Sequence, residues 1–145
     1  MIDCSPPSSG ELFLEPMMYV SQLHDPDIFA DIVEKAVQCL QNIAFDTIVF
    51  RGFSGAVVGP TVALRLGIPW VLVRKTGDNT HSSRMIEGNV TGDYIIIDDF
   101  IDTGDTIDKI INACGSKCVG VYLYDYQLNA GRIDRVKILN SGEFR

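Results

Sequence analysis

The stretch YIIIDDFIDTGDTI, residues 94–107, places several groups capable of chemistry at the end of an apolar run. Asp98 and Asp99 accept hydrogen bonds when ionised, and paired carboxylates suit hydroxyl groups or a hydrated divalent cation. The DTGDT turn then opens a helical pattern, and the first N–H groups of a helix have no intrahelical partner. With the hydroxyls of Thr103 and Thr106, these N–H groups can bind a phosphate. The segment therefore predicts a ligand with a phosphate near a diol, of which ribose 5-phosphate is the simplest.

A plainer interpretation is that Asp102 or Thr103 only caps the helix, while Asp98 and Asp99 lie in a solvated loop. A lone TGDT turn would not decide between the two interpretations. The complete pattern is more specific, because strand residues, two acids, two apolar residues and the turn follow in unbroken order. The usual nucleotide-binding motifs, GxxxxGKS/T and GxGxxG, do not occur in the chain.

Apolar runs alternate with helical patterns along the chain, which predicts an α/β fold. The predicted strands are 46–50, 68–74, 94–98 and 118–124, with 135–139 as a candidate fifth. The predicted helices follow the N-cap Asp25, cover 56–67 up to Gly67, and cover 105–115 up to Gly115. Since the strands read as continuous apolar runs, the sheet should be mostly parallel and flanked by helices. Ligands bind beyond the carboxyl ends of such strands, which fall at Arg51, Arg74, Asp98 and Tyr124.

The length of 145 residues suits one compact domain, and we expect a single domain over 1–145. The formal net charge of −7 argues against broad binding of nucleic acids or anionic membranes, so an anion site must be local. The chain starts without a basic and apolar leader and lacks an apolar run of roughly 20 residues, which predicts a cytoplasmic protein. The four cysteines lack metal-binding spacing and are expected to be reduced thiols.

The motif IIIDDFIDTGDT resembles the phosphoribosyl pyrophosphate (PRPP) signature of type I phosphoribosyltransferases. Upstream, FDTIVFRGFSGAVVGPTVALRLGIPWVLVRK is similar to the pyrophosphate-loop region of adenine and orotate phosphoribosyltransferases. The likeness covers roughly residues 25–125. It implies the type I phosphoribosyltransferase fold, with a central sheet of about five strands and a small hood that covers the base. Only 1–24 and 126–145 are left to form that hood.

The resemblance implies a role for most of the polar residues. Asp98 and Asp99 would bind the ribose 2′ and 3′ hydroxyls and, through water, Mg²⁺. Arg51 and Gly52 would meet pyrophosphate, in a loop that commonly holds a non-proline cis peptide, which we expect next to Arg51. The turn formed by Asp102, Thr103, Gly104, Asp105 and Thr106 would wrap the 5′-phosphate. Asp105 would contribute its backbone N–H.

Residues 75–93 are polar and lack periodicity, which predicts a long loop. HSSRMIEG within it resembles the mobile catalytic loop of orotate phosphoribosyltransferases, and Arg74 and Lys75 match the Arg-Lys pair before that loop. The resemblance implies pyrophosphate contacts from Arg74, Lys75 and His81, with Lys75 and His81 catalytic. Those enzymes carry a further lysine where this chain reads TGDNT. Neutralisation of pyrophosphate would then fall to Lys75, His81, Arg84 and the metal.

The expected activity is transfer of ribose 5-phosphate from PRPP to a nucleobase, with Mg²⁺ as cofactor and release of pyrophosphate. Asp102 favours a purine and would be catalytic, because the matching Asp of 6-oxopurine enzymes lies near the base and exchanges its proton. The orotate-like loop keeps orotate as an alternative, and the missing lysine keeps a non-catalytic PRPP- or nucleotide-binding regulatory module. An amine acceptor is a third possibility. The family implies a homodimer, and no nucleic-acid or membrane partner is expected.

Aromatic residues near the strands are less decisive. Trp70 lies inside an apolar strand, which favours a place in the core. Tyr124 and Tyr126 follow the fourth predicted strand, where the family places residues that contact the base. They either stack on that base or pack at the edge of the sheet.

Overall fold

The computed structural model describes residues 23–75, 85–125 and 136–140. Within these ranges the elements follow in the order α1 (Pro26–Leu40), β1 (Thr47–Phe50), α2 (Phe53–Leu66), β2 (Trp70–Val73), β3 (Ile86–Glu87), β4 (Tyr94–Asp98), α3 (Asp105–Cys114) and β5 (Cys118–Leu123). No helix in the described ranges is long and apolar enough to cross a membrane. The predicted hood segments, 1–24 and 126–145, lie almost entirely outside these ranges.

The strands form one sheet in the order β3-β2-β1-β4-β5. β1 pairs in parallel with β2 and β4, β4 pairs in parallel with β5, and the short β3 runs antiparallel to β2. The expected α/β class with a mostly parallel sheet is confirmed. The predicted fifth strand at 135–139 is wrong, because its described part contributes an isolated bridge from Ile138 to Val121. The fifth strand is β3, which comes from the segment predicted to be a loop.

Alternate residues of each strand enter two separate cores, one on each face of the sheet. Ile48 and Phe50 of β1 pack with α1 and α2, whereas Val49 between them packs with α3. Every residue of β1 and β4 is buried, which is why these strands read as continuous apolar runs. Since helices cover both faces, a ligand has access at the ends of the strands.

Helix α2 packs very close to β1 because two of its residues are glycines. A Cβ added at Gly55 would lie 2.5 Å from Phe50 Cβ and 2.9 Å from the carbonyl oxygen of Ile97. A Cβ added at Gly59 would lie 2.5 Å from Phe50 Cδ1. Only glycine permits so close an approach. The helix begins at Phe53 rather than at residue 56, and its first turn therefore lies against the ends of β1 and β4.

Two helix ends lie where the sequence signals predict them. Asp25 is the N-cap of α1, and its carboxylate accepts from the N–H of Asp27 at 2.9 Å. Gly67 is the left-handed C-cap of α2, with φ of 70°.

The expected core position of Trp70 is wrong: its side chain is 43% exposed and packs on Phe50 with ring centroids 5.3 Å apart.

Gly59→Ala should lower the free energy of unfolding by about 1 to 3 kcal/mol, because the added methyl overlaps the buried Phe50 ring. Alanine would otherwise favour a helix interior by roughly 1 kcal/mol over glycine, so a loss must come from the overlap. Leu64→Ala on the same helix is the control; Leu64 is 80% exposed, and a change within about 0.5 kcal/mol is expected. Urea unfolding measures both variants, and a Gly59→Ala protein as stable as the parent would contradict this packing.

Candidate functional site

The polar residues predicted at the strand ends lie along one edge of the sheet. β1, β2, β4 and β5 are parallel, so the residues that follow them leave at the same edge. Asp98 is the last residue of β4. The residues that follow the strands are Arg51 and Gly52 after β1, Arg74 and Lys75 after β2, Asp99 after β4, and Tyr124 after β5. This carboxyl edge is the candidate functional site.

The two adjacent acids at the end of β4 are buried rather than solvated. Asp98 is 7% exposed and Asp99 is 8% exposed. Asp98 Oδ1 accepts from the hydroxyl of Ser54 at 2.9 Å and from the N–H of Asp99 at 2.9 Å. Asp99 Oδ1 accepts from the N–H of Phe100 at 2.8 Å. Within the described part of the chain, no basic side chain forms an ion pair with either acid.

Burial raises the pKa of Asp98 to about 7. The hydrogen bond to the Asp99 side chain and the charge of that side chain raise this pKa further, while the Asp99 N–H and the Ser54 hydroxyl lower it. The two carboxyl groups therefore lie close together without a neighbouring cation to relieve their repulsion. Hydroxyl donors or a divalent cation at this place would favour the ionised form.

The carboxylate pair fits Mg²⁺ in its donor atoms. The described residues contain no group of three or more His, Cys, Asp or Glu suited to a metal. Mg²⁺ does not need such a group, because it is usually bound by one or two carboxylates and completes its coordination with water and ligand oxygens. Asp98 and Asp99 supply two hard oxygen ligands of that kind.

The turn before α3 ends in a glycine. The N-cap is Gly104, in the left-handed conformation at φ of 87°, and a glycine has no side chain with which to cap the helix. Neither Asp102 nor Thr103 occupies the N-cap position itself. Thr103 Oγ1 instead accepts from the N–H of Asp105 at 3.2 Å. Binding of a phosphate by the Asp105 N–H stays a prediction, and in this structure the N–H donates to the Thr103 hydroxyl.

Two basic residues, Arg51 and Lys75, lie at the ends of the neighbouring strands β1 and β2. The Nε of Arg51 is buried and has no hydrogen-bond partner among the described residues. Gly52 has φ of 85°, and a Cβ added to it would lie 2.9 Å from Lys75 Cε and 3.3 Å from Lys75 Nζ. The lysine ammonium thus lies over the Gly52 backbone. All peptide bonds of the described residues are trans, so the expected cis peptide next to Arg51 is wrong.

Arg74 forms an ion pair within the protein. Its Nη2 and Nε lie 2.8 Å and 3.1 Å from the same Glu87 oxygen, and its backbone N–H donates to the carbonyl of Met85 at 2.8 Å. Glu87 belongs to β3, so the pair joins β3 to the end of β2. His81 and Arg84, which were expected to meet pyrophosphate, lie outside the described residues.

The chain is similar in sequence to two kinds of phosphoribosyltransferase. The orotate phosphoribosyltransferase of Sulfurisphaera tokodaii is 31% identical over 97 residues, which cover 64% of this chain and 50% of that relative. The adenine phosphoribosyltransferase of Haemophilus ducreyi is 28% identical over 130 residues, which cover 77% of this chain and 71% of the relative. The chain thus spans about half the length of the first relative. No protein-family model matches the chain.

Solved structures share the fold. The adenine phosphoribosyltransferase of Leishmania tarentolae matches with a TM-score of 0.60 at 21% identity, covering 77% of this chain and 66% of that one. The enzyme of the same name from Trypanosoma brucei, solved with AMP, pyrophosphate and ribose-5-phosphate, matches with a TM-score of 0.53 at 22% identity, covering 68% of this chain and 52% of that one. The chain thus has the fold of the solved phosphoribosyltransferases and is similar in sequence to enzymes named for orotate and for adenine.

Within this phosphoribosyltransferase fold, Ser54 is a site residue that the sequence patterns did not predict. Its hydroxyl donates to Asp98, and its carbonyl accepts from the Tyr124 hydroxyl at 2.8 Å. Tyr124 is 7% exposed and packs in the core, so of its two interpretations the structure favours packing over stacking on a base. Tyr126 lies outside the described residues. A serine in the apolar start of α2 was the only available signal.

The Asp98→Asn variant should have a higher free energy of unfolding than the parent protein near pH 8 and should lose that advantage towards about pH 4. The folded-state pKa of Asp98, about 7, lies above its ordinary value of 3.8. Between those values the folded chain keeps a proton that the unfolded chain has released. The contribution of Asp98 to the parent's free energy of unfolding is therefore highest below pH 3.8 and falls as pH rises to about 7. The fall is at most about 1.4 kcal/mol per pH unit.

Asparagine cannot ionise, so it removes this slope. Urea unfolding of parent and variant across this pH range measures the effect. Parallel stability profiles for the two proteins would contradict the raised pKa.

Proposed function

We propose that the chain is a Mg²⁺-dependent phosphoribosyltransferase that transfers ribose 5-phosphate from PRPP to a nucleobase and releases pyrophosphate. The observation that carries the proposal is the buried pair of Asp98 and Asp99 next to the start of α3, whose N-cap is a glycine. Carboxylates attract hydroxyl donors and cations, and the start of a helix attracts phosphate. PRPP offers both kinds of group, and relatives named for orotate and adenine support the same reaction class.

In this proposal the β4–α3 segment binds the ribose 5-phosphate half of PRPP. Asp98 and Asp99 accept from the ribose 2′ and 3′ hydroxyls and contribute to the Mg²⁺ site. The phosphate lies at the turn, where the Thr103 hydroxyl can donate to it while still accepting from the Asp105 N–H. Gly104 and Thr106 complete this turn, and the exposed Asp105 carboxylate stays in solvent.

The pyrophosphate half would lie beyond β1. The Arg51 guanidinium, whose Nε has no partner among the described residues, and the Lys75 ammonium over Gly52 would supply positive charge and donors there. Departure of pyrophosphate from an oxocarbenium-like ribose places growing negative charge on the leaving group, so these groups stabilise the transition state. Mg²⁺, when bound, would supply further neutralisation of the same oxygens. Arg74 is the weaker candidate for this contact because its guanidinium pairs with Glu87.

A purine is the proposed acceptor, and Asp102 its proton partner. Asp102 is exposed in the described structure, which leaves its carboxylate accessible to a base beside the ribose. Orotate is the second candidate, since relatives of both names match the chain. His81 stays a predicted pyrophosphate ligand. Cytoplasmic location and a homodimer also belong to this proposal, and light scattering after size exclusion tests the dimer.

A panel of bases tests the reaction. With PRPP and Mg²⁺, the chain should release pyrophosphate in the presence of one or more of adenine, hypoxanthine, guanine, xanthine, orotate and uracil, as measured by a coupled pyrophosphate assay. Asp98→Asn combined with Asp99→Asn should weaken PRPP binding at least about 10-fold in calorimetry, because both hydroxyl acceptors and the metal ligands lose charge. Asp46→Asn, outside the carboxyl edge, is the control. The proposal would be contradicted if none of the bases led to release of pyrophosphate, or if the double variant bound PRPP as tightly as the parent.

A role for Lys75 can be tested separately. Lys75→Gln should lower kcat/KM for PRPP by about 10- to 100-fold, because a charge-assisted contact to pyrophosphate contributes on the order of 1.5 to 3 kcal/mol. Lys35→Gln makes the same change of charge on α1, where Lys35 is 58% exposed and pairs with Asp31, and should leave kcat/KM unchanged. Steady-state kinetics at saturating base measure both variants. Equal losses in the two would show a general effect of charge instead of a contact.

A non-catalytic PRPP-binding module is the second candidate function. One sequence observation favours it: the segment TGDNT lacks the lysine that orotate phosphoribosyltransferases carry there. This alternative predicts binding of PRPP with Mg²⁺ in calorimetry and no pyrophosphate release with any base of the panel.

A further inference from the structure

Ser54 connects the pyrophosphate side of the site to the acid side. It lies two residues after Gly52, in the first turn of α2, and is 5% exposed. Its hydroxyl donates to Asp98 Oδ1 at 2.9 Å across a separation of 44 residues in the chain. A buried hydroxyl that donates to a buried carboxylate forms a stronger bond than one between neutral groups.

This bond determines which oxygen of Asp98 remains for a ligand. Oδ1 accepts from the Ser54 hydroxyl and from the Asp99 N–H. A carboxylate oxygen has about two lone pairs, so two donors occupy Oδ1. Contact with a hydroxyl or a cation therefore falls to Oδ2, and a ligand there would replace the hydrogen bond between the Asp98 and Asp99 side chains. The carboxylate plane is fixed by two donors from different elements, one from α2 and one from the backbone after β4.

Ser54 is itself held in place from β5. The Tyr124 hydroxyl donates to the Ser54 carbonyl at 2.8 Å, and the Tyr124 N–H donates to the Asp98 carbonyl at 3.1 Å. Tyr124 thus contacts both partners of the hydroxyl–carboxylate bond. The three residues form a closed hydrogen-bonded unit between α2, β4 and β5.

We propose that Ser54 is a positioning residue for PRPP binding, which holds the Asp98 carboxylate so that Oδ2 faces the ribose hydroxyls and the metal. The inference rests on the proposed function. It also assigns Ser54 a second effect: the start of α2, and with it the Arg51–Gly52 loop, is held at a fixed distance from the ribose site. Both ends of PRPP then meet groups that are already placed relative to each other.

Ser54→Ala tests the role. It should raise the dissociation constant for PRPP with Mg²⁺, and the KM for PRPP, by about 5- to 50-fold. The KM for the base should not change, because the base does not contact Asp98 in the proposal. Ser116→Ala, at an exposed serine in the turn after α3, is the matched control and should bind PRPP like the parent. Ser54→Cys keeps the size of the side chain with a weaker donor and should give an intermediate loss.

A double-variant cycle distinguishes positioning from general damage. In the Asp98→Asn background, Ser54→Ala should cause little further loss of PRPP affinity, since Ser54 acts through that carboxylate. If the double variant instead loses affinity by the product of the two single losses, the inference is overturned. Urea unfolding of each variant checks the fold, and Ser54→Cys serves if Ser54→Ala does not fold. If the parent binds PRPP and Ser54→Ala binds it equally well, only the role of Ser54 is refuted. If the parent binds no PRPP, the proposed function fails with it, whereas coupling of Ser54 and Asp98 in the unfolding cycle would persist.

Discussion

Two carboxylates that are adjacent in the chain and almost dehydrated set the conditions for the rest of the site. Asp98 and Asp99 are held at the end of a strand that is buried on both faces, so they cannot turn away into water. Their mutual repulsion is partly compensated by backbone N–H groups and by the hydroxyl of Ser54. The remaining imbalance is what a cation or a diol can relieve. A binding site of this kind is costly without its ligand.

An acidic chain can still bind a highly charged anion if its positive groups are concentrated. The chain has a net charge of −7, yet the carboxyl edge of the sheet gathers Arg51, Lys75 and the start of α3. The glycines make this possible, because Gly52 lets the Lys75 side chain lie over the backbone and Gly104 lets the chain enter the helix in the left-handed conformation. Backbone N–H groups attract phosphate without changing the net charge.

The central part of the fold was predictable because its signals are local. β4 matches the predicted 94–98, and Asp25 and Gly67 cap helices as their residue types indicate. The two-residue β3 was not predictable, since so short a strand has no periodicity of its own and depends on pairing with β2. The Arg74–Glu87 ion pair follows from that pairing and was missed with it. The exposure of Trp70 depends on how much of the β2 end is covered, which the sequence does not encode locally.

The exposed Trp70 gives the chain a built-in optical reporter. It is the one tryptophan among 145 residues, so intrinsic tryptophan emission comes from a single position. Its ring contacts Phe50, the residue on which Gly55 and Gly59 of α2 pack, at the amino end of β2. Ligands at the carboxyl edge would not touch it directly. A change of emission on adding PRPP would therefore record a movement of β1 or α2, and a constant emission would describe a scaffold that stays rigid when its edge is filled.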